Sequence, residues 1–183
     1  MKLKFSTFLN ILITAILLQS CGKIEEVDPA TSLPNTTWNL SSFTVESSDK
    51  SYAITKTQGK NIDVSSFMID TEQLKFNADG ILEYLESGTT KKGKWALSTD
   101  KKYLDFIDSY GYKYQAELLN PTSSSITFGS IKVDPRKRVS QYSSKESEVY
   151  YECVYALYKI DIYEDSYNTA SYIQLGADFK KVN

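Results

Sequence analysis

The chain has 183 residues, of which 21 are basic and 23 acidic, and it contains no histidine. This length is typical of one domain, and the lack of histidine removes the usual general base near neutral pH and the commonest zinc ligand. The slightly acidic balance argues against nucleic-acid binding, which needs a basic face that releases counterions.

The first twenty residues have the layout of a secretory signal peptide. Lys2 and Lys4 give a positive start, residues 8–18 are mostly apolar, and the small residue Ser20 precedes Cys21. The apolar run is about half of the roughly 20 residues that a spanning helix needs, so we expect export without a transmembrane helix. Removal of residues 1–20 leaves 19 basic and 23 acidic residues, a net charge of −4.

The residues around the expected cleavage site resemble the lipobox of bacterial lipoproteins. They read Leu18-Gln19-Ser20-Cys21, and only Gln19 departs from the usual small residue. The resemblance implies that Cys21 carries a diacylglyceryl group and an acylated amine, which anchor the mature protein in a membrane. The alternative is an ordinary secretory signal followed by a chance cysteine.

The second of the two cysteines in the sequence is Cys153. If Cys21 carries the lipid, Cys153 has no partner for an internal disulfide.

Residues 21–34 are expected to form a tether, since they contain prolines and acidic residues without periodicity. Within them, Lys23, Glu25 and Glu26 resemble the surface-export signal of lipoproteins from the phylum that includes Bacteroides and Flavobacterium (Bacteroidota). That resemblance implies an outer-membrane lipoprotein on the cell surface. The alternatives are a solvated linker and a location on the periplasmic face.

The remaining residues, 35–183, predict an all-β domain. Tyrosine, phenylalanine, threonine, isoleucine and valine favour strands, and turn residues recur about every 8 to 12 positions, as in a sandwich or barrel. The clearest unit is a hairpin in which the turn Asn77-Ala78-Asp79-Gly80 joins two alternating runs. Strands are predicted at 36–45, 73–76, 81–87, 94–98, 103–107, 112–118, 125–131, 149–162 and 172–175.

Two polar stretches interrupt the predicted strands. Residues 46–71 are expected to form a long insertion, with a short helix over 63–71. Residues 135–145 are expected to form a loop that includes a basic surface turn at Pro135–Arg138. We expect about eight or nine strands and no helix longer than two turns.

Several motifs then recur in an order similar to that of the lipocalin-like lipoproteins of the same phylum. Trp38 and Leu40 open the first strand, Phe76 begins a Phe-x-x-Asp-Gly turn, and Trp95 and Leu97 lie in a Gly-x-Trp-x-Leu strand. The resemblance covers about residues 34–129. It implies an antiparallel up-and-down lipocalin-like barrel of about eight strands, with these five residues in its core. Without the family, an eight-stranded closed sheet predicts an interior that holds side chains or one small ligand.

The residues that could support catalysis are few. Glu83, Glu86, Glu117 and Glu152 lie on predicted strands, and a two-carboxylate glycosidase is the formal alternative. Alternation with apolar neighbours places them on solvated outer faces, so we expect no enzyme, no catalytic residue, no metal and no cofactor. Cys153 is expected to pack as a small buried hydrophobe.

Seven tyrosines lie between Tyr150 and Tyr172 in the C-terminal third, and two interpretations stay open for them. Tyrosine is a good strand former, and it also suits recognition surfaces.

The first functional hypothesis is a non-enzymatic lipoprotein that binds a small apolar or amphipathic ligand. The second is an accessory subunit of an outer-membrane protein assembly with a filled barrel. A binder needs a cavity of about 300 Å³ or more, whereas an accessory subunit needs an exposed apolar or aromatic patch.

Overall fold

The computed structural model describes residues 27–182, which form nine strands, two helices and two short 3-10 turns. The strands are β1 (Thr36–Ser47), β2 (Ser51–Thr55), β3 (Gln73–Phe76), β4 (Ile81–Glu86), β5 (Thr89–Leu97), β6 (Tyr103–Ile107), β7 (Lys113–Leu119), β8 (Ser125–Gly129) and β9 (Ile173–Lys181). The helices are α1 (Pro29–Ser32) and α2 (Ser144–Tyr158), and the 3-10 turns are Val139–Gln141 and Glu164–Ser166.

Eight of the strands close into an antiparallel barrel. The order is β1-β3-β4-β5-β6-β7-β8-β9, and β9 pairs with β1 to complete the ring. β2 is an additional strand that pairs with the second half of β1, from Ser42 to Glu46. The prediction of an all-β, lipocalin-like antiparallel barrel of about eight strands is therefore confirmed.

The barrel closes along the long pairing of β1 with β9, which contains a register shift between Leu40 and Ser42. On the outer face of this seam the Asp178 carboxylate accepts hydrogen bonds from Ser42 at 3.0 Å, Thr44 at 2.7 Å and Thr127 at 2.6 Å. Because these hydroxyls come from β1 and β8, one side chain ties both neighbours to β9.

The alternation of strand direction gives the barrel two distinct ends. The upper end carries the connections 48–72, 87–88, 108–112 and 130–172, and the lower end carries α1 and the turns 77–80, 98–102 and 120–124. The first described residues of the chain contact the lower end of the barrel. The Val27 amide donates to the Pro121 carbonyl at 3.2 Å, and Asp28 pairs with Lys101 at 2.6 Å. Residues 27–34, which belong to the predicted tether, thus lie against the barrel.

Aromatic side chains fill the interior. Phe76, Phe106, Phe128 and Phe179 are fully buried, and successive ring centroids lie between 5.4 and 6.5 Å apart. Trp38 is also fully buried. An eight-stranded barrel is just wide enough for such side chains, so the space that would hold an enclosed ligand is occupied by the core. The closed barrel and its core lie entirely within residues 27–182. This part of the chain therefore has the anatomy of an independently folding domain.

The prediction of a strand over residues 149–162 is wrong, because this segment forms most of α2. The helix buries Val149, Cys153, Ala156 and Leu157, whose spacing of three to four residues matches one helical face. Ser143 caps its start by accepting from the Glu146 amide at 3.2 Å, while the Glu146 carboxylate accepts from the Ser143 amide at 2.8 Å. The expectation of no helix longer than two turns therefore also fails.

The connection before β3 also differs from expectation. Residues 46–71 contain β2, and residues 63–71 form turns instead of a helix. Apolar side chains of this segment, among them Phe67 and Met68, are fully buried, because together with α2 they cover the upper end of the core. At the C-terminus, β9 is longer than the predicted strand 172–175 because it pairs with two neighbours, β8 and β1.

Candidate functional site

The five residues of the barrel motif all contribute to the core. Trp38 and Phe76 are fully buried, and Leu40, Trp95 and Leu97 are partly buried against them. The Trp95 indole donates to the Asn77 carbonyl at 2.9 Å and meets Phe76 edge-on at a centroid distance of 5.3 Å. These contacts give Phe76 and Trp95 a structural role at the lower half of the barrel, whereas Leu40 also lines the cleft described below. Cys21, Lys23, Glu25 and Glu26 lie outside the described residues.

The four glutamates considered for catalysis lie in four different settings. Glu83 on the outer face of β4 pairs with Lys75 at 3.1 Å, and this contact lowers its pKa. Glu117 accepts from the buried Gln174 amide at 2.7 Å, and Glu86 lies at the rim of a cleft. Glu152 corrects the prediction of a solvated strand position, since it lies on α2 and is half-buried.

A cleft with a volume of about 830 Å³ opens at the upper end of the barrel; we call it the mouth cleft. It forms because two different strands share one edge of β1: β3 pairs with Thr36–Asn39, and β2 pairs with Ser42–Glu46. Leu40 lies at this division, where the wall separates between β2 and β3. The mouth cleft is lined by Leu40, Phe43, Lys56, Thr57, Gly59, Lys60, Asn61, Ile62, Asp70, Thr71, Glu72, Leu85, Glu86 and Ser87.

Two local structures hold the walls of the mouth cleft in place. A Cβ at Gly59 would lie 2.5 Å from the Phe43 ring, so glycine allows the turn after β2 to pack directly on that ring. The buried Thr71 hydroxyl lies 2.7 Å from the Leu85 carbonyl and 2.9 Å from the Gln73 carbonyl, and it also accepts from the Leu85 amide at 3.2 Å. These hydrogen bonds of Thr71 fix the floor of the mouth cleft between β3 and β4.

The lining of the mouth cleft combines apolar and charged side chains. The larger apolar residues are Leu40, Phe43, Ile62 and Leu85, and the charged residues are Lys56, Lys60, Asp70, Glu72 and Glu86. Lys56 pairs with Glu72 at 3.0 Å on the rim. Partial burial raises the pKa of Asp70, and the neighbouring carboxylates of Asp63 and Glu72 raise it further. Such a surface is suited to a molecule with one apolar and one polar end.

A hydrogen-bonded pair joins the segment that lines the mouth cleft to α2. The Glu152 carboxylate accepts from the Ser66 amide at 3.2 Å and also from the Ser66 hydroxyl. Burial raises the pKa of Glu152 to about 7, and the two hydrogen bonds offset only part of that rise. Sequence reasoning missed this pair because the partners come from different elements, although the Ser143–Glu146 capping pattern was available as a signal for the helix.

Four exposed tyrosines form a second candidate surface, which we call the tyrosine face: Tyr151, Tyr155, Tyr158 and Tyr163, with exposed fractions of 56, 41, 61 and 57%. The rings of Tyr158 and Tyr163 meet edge-on at 6.1 Å. Exposed aromatic groups that cluster in this way are typical of interaction surfaces.

Comparison of the chain with family models, with curated proteins and with solved structures finds no match. Within residues 27–182, the longest helix is too short and too polar to cross a bilayer. The same residues contain no group of three or more cysteine, aspartate or glutamate side chains placed to hold a metal ion.

Proposed function

We propose that the protein is a non-enzymatic lipoprotein of the outer membrane and that it binds a small amphipathic ligand in the mouth cleft. The observation that carries this proposal is the cleft of about 830 Å³ at the upper end of a barrel whose interior is filled. Its volume lies within the usual range of ligand sites, which is about 300–1,000 Å³.

The anchor in this proposal rests on the lipobox resemblance around Cys21. Val27, where the chain joins the lower end, follows Cys21 by six residues. Six extended residues reach about 20 Å, so a lipidated Cys21 would keep the lower end near the membrane. The mouth cleft, at the opposite end, would remain open to solvent. The resemblance of Lys23, Glu25 and Glu26 to an export signal supports a location on the cell surface.

The ligand class follows from the mixed apolar and charged lining of the mouth cleft. Phe43 and Leu85 offer apolar area, and Lys60 and Asp70 offer charges of both signs at the rim. A purely apolar ligand would desolvate these charges without compensation. We therefore favour a ligand that has a small apolar body and a polar or zwitterionic head.

Native mass spectrometry tests the ligand proposal. The full chain, which keeps its export signal, would be expressed in its own cells, purified gently in a mild detergent and examined for a small molecule that leaves on mild activation. Leu85→Trp adds bulk at an apolar lining residue and Lys60→Glu reverses one charge of the lining, so both should lose the molecule. Lys50→Glu, an exposed charge change outside the mouth cleft, should keep it. A bare wild type, or equal retention in all three variants, would reject the mouth cleft as the site.

The filled barrel and the tyrosine face favour a second candidate function. In this alternative the protein is an accessory subunit of an outer-membrane assembly, and its barrel is a scaffold without a ligand. Crosslinking on intact cells would then join the protein to one specific partner, and alanine substitutions at Tyr155 and Tyr158 would abolish that product. An unchanged pattern of crosslinks in this variant would count against the alternative.

A further inference from the structure

A second cavity, which we call the side pocket, opens on the outer wall of the barrel. β8 pairs with β7 only as far as Gly129, which lies opposite Glu117. Beyond Gly129 the chain follows β9 instead, since the Ser130 amide donates to the Leu175 carbonyl at 2.8 Å. The wall therefore opens between β7 and the residues that follow β8. The side pocket has a volume of about 260 Å³. It is lined by Tyr103 of β6, Gln115 and Glu117 of β7, and residues 129–132.

A buried glutamine holds two residues of the side pocket in place. Gln174 of β9 is 1% exposed, and its amide nitrogen donates to the Glu117 carboxylate at 2.7 Å and to the Ser130 carbonyl at 2.6 Å. Gly129 leaves room for this reach, because a Cβ at that position would lie 3.0 Å from the amide nitrogen. Gln174 therefore fixes the position of the Glu117 carboxylate in the wall of the side pocket.

The oxygen of the same Gln174 amide is a buried acceptor without a donor among residues 27–182. Nitrogen and oxygen cannot be exchanged here, because the carboxylate of Glu117 and the carbonyl of Ser130 both need a donor. A buried acceptor that lacks a donor is unfavourable. The oxygen lies about 2.2 Å from the nitrogen of its own amide, so it is within about 5 Å of the Glu117 carboxylate.

The polar groups around this oxygen have no donor left to offer. The Gln174 amide nitrogen uses both of its hydrogens. The Ser130 hydroxyl donates to the Ile131 carbonyl at 3.0 Å and accepts from the Leu175 amide at 3.0 Å. What this part of the wall still provides is acceptors: the Glu117 carboxylate and the Gln174 carbonyl oxygen.

The charge of Glu117 is not neutralised within the described part of the chain. Glu117 is half-buried and forms no ion pair there. Lys132 is the one cation of the lining, but its ammonium lies 4.5 Å from the centre of the Tyr172 ring. Because Tyr172 does not line the side pocket, this contact draws the ammonium towards a residue outside it. A half-buried carboxylate in this setting is suited to a cation from outside the chain.

We propose that the side pocket binds a cationic N–H group, an ammonium or a guanidinium, with Glu117 as its counter-ion and the Gln174 carbonyl as its second acceptor. Both cations carry several N–H donors and no acceptor, so either can bridge two acceptors about 5 Å apart. Tyr103 and Ile131 offer apolar area to the carbon chain of such a ligand. A water takes about 30 Å³, so the side pocket is much larger than one water bound to the buried oxygen requires.

This site is independent of the proposed function, since the side pocket and the mouth cleft share no lining residue. Two sources supply the chemistry that it recognises. One is a free small amine or guanidine, and the other is a lysine side chain of another protein.

An NMR titration of the full chain, isotope-labelled and purified in a mild detergent, tests the proposal. The probes are n-butylammonium and methylguanidinium, and their neutral counterparts are n-butanol and methylurea. Each cation should shift the side-chain amide signals of Gln174 in a saturable manner, and the neutral compounds should not. Glu117→Gln keeps an acceptor for the Gln174 amide but removes the charge, so it should raise the Kd of both cations at least about tenfold. Glu83→Gln, on the outer face of β4, is the matched control and should leave the Kd unchanged.

A second variant changes the affinity in the opposite direction. Lys132→Gln removes the cation of the lining, so it should lower the Kd of both probes. Lys132 is exposed, so this test remains available if Glu117→Gln fails to fold. A site for an anion would instead lose affinity in Lys132→Gln. No shift with either cation, or weaker cation binding in Lys132→Gln, would overturn the proposal and assign the buried oxygen to a bound water.

Two measurements distinguish the sources of the cation. Native mass spectrometry of the full chain from its own cells should release a small amine that Glu117→Gln loses and that Lys60→Glu, in the mouth cleft, retains. If the cation belongs to a protein, treatment of intact cells with a carbodiimide, which couples carboxylates to amines, should instead give a crosslink that maps to Glu117. If neither product appears, no cation occupies the side pocket on cells and the proposal is wrong, whereas the mouth cleft is judged separately by its own variants.

Discussion

Glu152 on α2 accepts two hydrogen bonds from Ser66, which is 86 residues earlier in the chain. This pair joins the helix to the segment that lines the mouth cleft, and together they cover the upper end of the core. Because the carboxylate is half-buried with neutral donors as partners, its burial is not compensated by a cation, and its pKa rises to about 7.

The raised pKa of Glu152 predicts a pH-dependent stability. Between about pH 4.5 and 7 the folded state holds a proton that the unfolded state releases, so stability falls as the pH rises. Glu152→Gln removes this ionisation, and its Tm relative to the wild type should be several degrees higher at pH 8 than at pH 5. Thermal unfolding by circular dichroism measures this difference. Asp165→Asn, which removes an exposed carboxylate beyond the end of α2, is the control and should show the same Tm difference at both pH values.

Truncation of an aromatic core residue should lower the free energy of unfolding. Phe128 contacts Phe76, Phe106 and Phe179, so Phe128→Ala leaves a cavity that neighbouring strands cannot close. We expect a loss of about 3–5 kcal/mol in the free energy of unfolding, measured by urea denaturation. Phe128→Leu should lose about 1 kcal/mol. A loss below 1 kcal/mol for the alanine variant would mean that the interior is not filled as described.

Gly93 marks a close approach of β5 to β6. A Cβ at this position would lie 2.2 Å from the Ile107 carbonyl oxygen, and a backbone atom in a paired strand cannot move away easily. Gly93→Ala should therefore destabilise the protein by about 3 kcal/mol. Gly88→Ala, in an open turn with φ of +75°, should cost about 1 kcal/mol. Equal losses in the two variants would remove the steric explanation for Gly93.

The lipid anchor predicts that Cys21→Ser releases the protein from membranes. Each buried methylene contributes about 0.8 kcal/mol to membrane binding, and the serine variant cannot receive the acyl chains. Cell fractionation should move the protein from the membrane pellet to the soluble fraction, whereas Cys153→Ser should stay in the pellet. A Cys21→Ser protein that still pellets would show that the lipobox interpretation is wrong.

Surface export is predicted to depend on the residues that follow Cys21. Alanine at Lys23, Glu25 and Glu26 should reduce labelling of whole cells by an impermeant reagent, while the amount of membrane-bound protein stays constant. Alanine at Asp28, next to this segment but paired with Lys101, serves as the control. If the wild type is not labelled, or the triple variant is labelled equally, the protein does not reach the surface through this signal.

Much of the barrel could be predicted locally. β3 and β6 have the predicted bounds, since alternation in Leu74 and Phe76, and in Leu104 and Phe106, is a period-two pattern between clear turns. The prediction of a strand over residues 149–162 is wrong because it rests on valine and tyrosine, which favour strands. Its helical spacing of buried residues and its capping pair at Ser143 and Glu146 were nevertheless present in the sequence.

The candidate sites could be predicted less well than the barrel. The mouth cleft depends on which strand pairs with each half of β1. One of these strands, β2, lies within the polar segment that the sequence predicts to be an insertion. The raised pKa of Glu152 depends on Ser66 and on burial at the upper end of the core. Neither relationship has a local pattern, because each is a contact between segments that are distant in the chain.

The sequence by itself determined the class of fold, most strands of the barrel and the core residues of its lower half, since alternation and turn chemistry act over a few residues. Tertiary structure alone decided that the interior is filled, that the mouth cleft lies between β2 and β3, and that the tyrosines of α2 face solvent. These properties follow from long-range strand pairing and from which side of a helix is buried, and both depend on how the whole chain packs.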